Sequence, residues 1–134
     1  MELNKTMVTK RFTFGKNERL CEKKSISRLF KEGKHFFRYP FKVIVLPLEE
    51  KTNVPAKVLI SVPKRHFKKA VDRNRIKRLI RESYRKHKAL LQENGPSDTS
   101  YLLAFIYTSS ELHDYSFIEK KIILALQQIS AKEI

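Results

Sequence analysis

Cysteine is nearly missing from this chain: Cys21 is the one thiol in 134 residues. No intramolecular disulfide and no cysteine-based zinc site can form. Cys21 stands ahead of the first expected regular element, a poor place for a catalytic thiol. No run approaches the ~20 apolar residues that cross a bilayer. The opening stretch MELNKTMVTKRFTFGKNERL is charged and lacks the apolar core, about 7–15 residues long, of a secretory signal. A reducing, cytoplasmic setting is the expectation.

Acids are scarce too, 14 Asp and Glu against 29 Lys and Arg, for a net charge of +15. Paired carboxylates of a protein nuclease should lie close to the basic residues that hold its substrate. Only Asp72 and Glu82 stand there, on different helix faces, and Asp72 reads as a helix cap. His35, His66, His87 and His113 are too scattered for a metal set, and no nucleophile–base pair is legible. No cofactor or metal is therefore expected on the protein's own side chains.

What is present is enough to fold. Nine Phe and five Tyr in a chain that is 41% apolar are more than a disordered segment carries. The length suits one domain, expected over residues 19–134, after a basic, partly ordered arm over residues 1–18. Ile26, Leu29 and Phe30 recur at helical spacing, with Ser25 as a cap and Gly33 as a stop. FKVIVLPL (Phe41–Leu48) and KVLISV (Lys57–Val62) read as strands, and the polar turn from Glu49 to Pro55 suggests that they pair antiparallel. Asp72 is expected to cap a helix reaching about Leu91, which Asn94-Gly95-Pro96-Ser97-Asp98 ends. YLLAFIY (Tyr101–Tyr107) is apolar without alternation, as in a strand covered on both faces. Ser116 and Glu119 have capping-box spacing before a final apolar stripe, Ile118, Ile122, Leu126 and Ile129. The order α-β-β-α-β-α implies an α+β sandwich, helices packed on a central sheet.

The positive charge is concentrated. Lys64 to Lys88 holds twelve Lys or Arg against two acids, two-thirds of the net excess. On a wheel of about 100° per residue, Ile76, Leu79, Ile80, Ser83, Tyr84 and His87 share one face. Arg73, Asn74, Lys77, Arg78, Arg81, Arg85 and Lys88 fill an acid-free arc beside it. Such an arc is poorly explained as a merely solvated face. A membrane-surface helix would need its apolar side free to insert, and here that side belongs to the core. Like charges at this spacing repel, and a polyanion relieves them. Phosphate contacts position a protein without reading sequence, so the residues alone leave RNA and DNA open. RNA is favoured, because a DNA-reading helix would carry more base-reading polar groups.

VLISVPKR (Val58–Arg65) followed by AVDRNRIKRLIRESY (Ala70–Tyr84) closely resembles the bacterial ribonuclease P protein subunit, whose signature is this "RNR" helix after a strand ending in S-V-x-K-[KR]. The resemblance implies an RNA-binding subunit of an endoribonuclease that removes the 5′ leader of precursor tRNA. The partner RNA would do the hydrolysis, with Mg²⁺ required by that RNA and no catalytic residue from the protein. It implies an unusual left-handed β-α-β crossover and, though the residues set no oligomeric state, one protein per RNA. Lys64, Arg65, Arg73, Asn74, Arg75, Lys77, Arg78 and Arg81 match the positions facing the RNA subunit; Arg85 and Lys88 extend the same arc. Phe30, Phe41 and Ser61 match leader-contacting positions. Ile26 and Ile44 stand where the family usually has aromatics, and Phe36, Phe37 and Tyr39 lie close enough in sequence to compensate. The reading of another class is a structural ribosome- or RNA-associated protein with no part in cleavage.

Overall fold

The computed structural model describes Gly15 and residues 18–49, 54–92 and 100–132. The elements are α1 (Lys23–Glu32), β1 (Lys34–Arg38), β2 (Phe41–Leu48), β3 (Ala56–Ser61), α2 (Ala70–His87) with a 3₁₀ turn over Lys88–Gln92, β4 (Ser100–Tyr107) and α3 (Tyr115–Ser130). The α+β expectation holds, with one strand more than the sequence suggested. The strand order is β1-β2-β4-β3. β2 runs antiparallel to both β1 and β4, and β3 runs parallel to β4.

The expected β2–β3 pair does not form, because β4 lies between them. The reason is hydrophobic coverage: seven of the eight β4 residues are buried, whereas β2 and β3 expose Lys42 and Lys57. The most apolar strand takes an interior place, where both faces are covered. β1 was not anticipated. Its sequence, KHFFR, exposes every residue except Phe36, so it lacks the apolar alternation that marks a strand, and it forms as the outer arm of a hairpin on β2.

The sheet has two unlike faces. Phe41, Val43, Val45, Val58, Leu103, Phe105 and Tyr107 point to the side covered by α2 and α3, where they meet Ile76, Ile80, Tyr84, Ile118, Ile122 and Leu126. On the other side a smaller cluster joins Ile44, Leu102 and Ala104 to Leu29 of α1 and to Leu20. Each fully buried Leu, Ile or Phe contributes about 1.5–3 kcal/mol, so α2 and α3 are the firmly held elements.

The caps differ from the expected ones. α1 begins two residues before Ser25; Glu22 takes the cap position, and Ser25 Oγ donates to its carboxylate at 3.1 Å. Gly33 does end α1, donating its N–H to Leu29 O; a Cβ there would lie 2.4 Å from that oxygen. α2 is capped by Lys69, and Asp72 sits inside the first turn, where a carboxylate favours the helix dipole. Asp114, not Ser116, caps α3, accepting from Phe117 N at 3.0 Å. α-Helical geometry in α2 ends at His87, short of Leu91. The expected stop at 94–98, the arm over residues 1–18 apart from Gly15 and Glu18, and most of the turn between β2 and β3 lie outside the described residues.

Candidate nucleic-acid interface

α2 turns Ile76, Ile80, Ser83 and Tyr84 inward, all fully buried. That pattern leaves Asn74, Arg75, Arg78 and Arg81 exposed and Lys77 half-buried. Before the helix, Lys64 and Arg65 stand exposed on the turn that follows β3. This basic turn is braced in three ways. Phe67 is buried against Tyr107, ring centroids 5.9 Å apart. His66 Nδ1 meets Ser110 Oγ at 3.1 Å. Arg73 donates to the carbonyls of Phe67 and Lys68 at 2.8 and 3.0 Å. Arg73 therefore shapes the turn as well as adding charge.

Besides Arg73, two further members of the expected arc are engaged within the protein. Lys88 is buried, its Nζ 2.6 Å from Glu18 Oε1, with side-chain exposures of 6% and 5%. An ammonium sealed against a carboxylate does not reach an RNA phosphate, so Lys88 leaves the interface. The wheel missed this because the acid comes from a segment 70 residues away. Arg85 pairs with Glu82 one turn back, and that bond holds the Glu82 carboxyl below the usual carboxylate range. The arc's free character is thus strongest from Asn74 to Arg81.

The opposite face of α2 is tied to α3. His87 Nε2 lies 2.9 Å from Glu119 Oε2, and Tyr115 donates to the same carboxylate at 3.1 Å. Burial, then that bond, pushes the Tyr115 phenol up to about 12. The bond from His87 and then that from Tyr115 hold Glu119 below the usual carboxylate range.

The residues expected at a leader cleft do not share one surface. Phe41 is fully buried on the α2–α3 side, its ring 5.8 Å from those of Phe105 and Tyr107. It cannot stack on a base from there. Ile44 faces the α1 side but is also fully buried, and Ile26 packs over the same cluster. Strand alternation carries the reason: positions 41 and 44 have opposite parity and cannot line the same face. Register shows what does. Phe37 pairs with Lys42, Lys42 with Ile106, and Ile106 with Ser61, a row across all four strands on the α1 side. Phe37 is 60% exposed and Phe30, on α1, is 43% exposed. Phe37 is one of the three aromatics expected to compensate, whereas Lys42 and Ile106 were missed; alternation counted on from Phe41 would have found Lys42.

Known proteins share this sequence and this architecture. The model of the Ribonuclease P family matches residues 14–130. The ribonuclease P protein component of Porphyromonas gingivalis is 39% identical over 121 residues, 88% of each chain. That of Chlorobaculum tepidum is 39% identical over 94 residues, 63% of this chain and 60% of its own. The RNase P protein from Thermotoga maritima superposes with a TM-score of 0.68 at 26% identity, covering 84% of this chain and 97% of that one. By sequence and by fold, the chain belongs to the family of ribonuclease P protein components.

Proposed function

We propose that the protein is the RNA-binding subunit of ribonuclease P, docking on the catalytic RNA through α2 and holding the 5′ leader of precursor tRNA on the α1 side of the sheet. The observation that carries this reading is the exposed set Asn74, Arg75, Arg78 and Arg81, with half-buried Lys77 among them, on a helix anchored by Ile76, Ile80 and Tyr84. Guanidinium forks grip two phosphate oxygens at once, and a rigid helix presents them without losing backbone entropy on binding. Lys64 and Arg65 extend the cationic surface at one end.

For the leader, Phe30 and Phe37 offer ring faces, Lys42 a cation, and Ser61 a hydroxyl. Aromatic stacking beside positive charge holds single strands of varied sequence. Ile26 and Ile44 support this surface from beneath and do not form it. The protein's own residues bind, orient and screen charge. Hydrolysis belongs to the RNA with its Mg²⁺, whose requirement the cations of α2 lower.

The test is cleavage of a 5′-extended precursor tRNA at low Mg²⁺, with protein alone, RNA subunit alone and both together. Stimulation confined to the mixture, and weakened at least tenfold by the double change Arg75→Ala, Arg81→Ala, is expected, since two lost charge-assisted bonds cost ~3 kcal/mol or more. Cleavage by protein alone would overturn the assignment of chemistry to the RNA. No stimulation would leave a structural RNA binder.

A further inference from the structure

Two adjoining hollows flank the C-terminal half of α2, and both are lined by Arg19 and Arg81. One, of about 180 Å³, is walled by Leu20, Val58, Leu59 and Ile60. The other, of about 200 Å³, is lined by Arg78, Arg81, Glu82 and Arg85 from α2 together with Arg19. We propose that Arg19, with Arg78 and Arg81, forms a clamp for one backbone phosphate of the RNA subunit, at a site built jointly by α2 and the segment before α1. This rests on the reading that α2 faces RNA, and it adds a contact from outside the helix.

Arg19 is held in place from several directions. It forms a parallel bridge with Val58, and Leu20 N donates to Val58 O at 3.0 Å. Just before it, Glu18 accepts from Gly15 N and is sealed against Lys88. Backbone pairing and a buried ion pair thus fix the segment that brings Arg19 beside α2, from the far side of the hollow. Arg78 and Arg81 are one turn apart on α2, and Arg85 is one turn further on. Among the described residues, the guanidinium groups of Arg19, Arg78, Arg81 and Arg85 line the charged hollow beside the Glu82 carboxylate, which bonds Arg85. Like charges so gathered repel; an oxyanion seated among them is attracted by all. The neighbouring apolar walls of Leu20, Val58 and Ile60 lower the local dielectric and strengthen that attraction. Phosphate is the matching ligand because guanidinium forks suit its paired oxygens.

The experiment measures binding of the full-length protein to the ribonuclease P RNA subunit, without precursor tRNA, across about 50 to 400 mM KCl. Wild type is compared with Arg19→Gln and with Arg75→Ala, whose side chain lines neither hollow. Thermal melting confirms that each variant is folded. Losing one phosphate contact should lower the log–log salt slope by roughly one and weaken binding on the order of tenfold near physiological salt. Both variants are expected to behave so. A normal slope for Arg19→Gln beside a reduced one for Arg75→Ala would overturn the clamp and leave the α2 reading intact. Unchanged slopes in both, or no binding by wild type, would overturn the α2 reading itself. If Arg19→Gln fails to fold, Arg19→Lys, which keeps the charge and loses the fork, replaces it; an unchanged affinity there equally rejects the clamp.

Discussion

Removing the ring of Phe41 would open a hole among Phe105, Tyr107 and the helices above them, because that ring is fully buried. Phe41→Ala should cost about 3–5 kcal/mol of stability, visible as a lowered denaturation midpoint. Phe37, four residues earlier, has a mostly exposed ring. Phe37→Ala should leave stability within about 0.5 kcal/mol and weaken binding of a single-stranded 5′ leader by about 1–3 kcal/mol. Stability loss at Phe37, or its absence at Phe41, would mean the two strand faces are wrongly assigned. Ser83 presents a third kind of residue. Its hydroxyl is buried with no hydrogen-bond partner among the described residues, and an unsatisfied buried polar group costs about 1–3 kcal/mol. Ser83→Ala is therefore expected to raise the melting temperature by several degrees; a lowered one would indicate a bond at Ser83 that the geometry does not show.

Among the elements, α2 reads most directly from sequence. Its apolar period picks out Ile76, Leu79, Ile80, Ser83, Tyr84 and His87; Leu79 and His87 are half-buried and the other four are buried. Its boundaries read less well, since Lys69 caps it without a side-chain bond, and such a cap leaves no residue signature. Strand order was illegible for a related reason: pairing depends on which strand the core covers on both faces, and a turn between β2 and β3 says nothing of β4. Lys88 shows how partners distant in sequence escape a helical wheel. The α2–α3 contact through His87 and Glu119 has a pH consequence. Glu119 is held below its usual range, so its folded value lies under its unfolded one. The stability it adds is present above about pH 4.5 and lost as pH falls through the folded value. Glu119→Gln should flatten the decline of stability in acid compared with wild type, as followed by urea midpoints between about pH 6 and pH 3. Parallel declines for the two proteins would show that the contact contributes nothing.

For the whole molecule, a net charge of +15 works against compactness through self-repulsion. Salt screens such repulsion within about 10 Å at 0.1 M, and it also competes for RNA phosphates. The two effects should have opposite signs. Adding KCl from about 50 to 200 mM should raise the melting temperature of the free protein while weakening RNA binding by ~10³-fold or more, if six or more phosphates are contacted. A melting temperature that falls with salt would mean that attractive ion pairs outweigh the excess charge. The basic character of the surface was legible from composition alone. Its division into exposed Arg75, Arg78 and Arg81 and sealed Lys88 was not, because it depends on where the polypeptide before α1 comes to lie.

That placement makes the polypeptide before Cys21 part of what holds the fold together. A protease that severed the chain after Leu20 would leave α1–α3 and β1–β4 whole, yet it would strip Leu20 from the α1-side cluster. It would also leave the Lys88 ammonium, 6% exposed, without its carboxylate. A stranded buried charge of this kind costs about 3–5 kcal/mol, a large share of what holds a domain of this size together. The clipped protein should melt markedly lower, and Lys88→Met in the same clipped chain should recover much of the difference. A few residues at the edge of the expected arm would then carry a large share of the domain's stability.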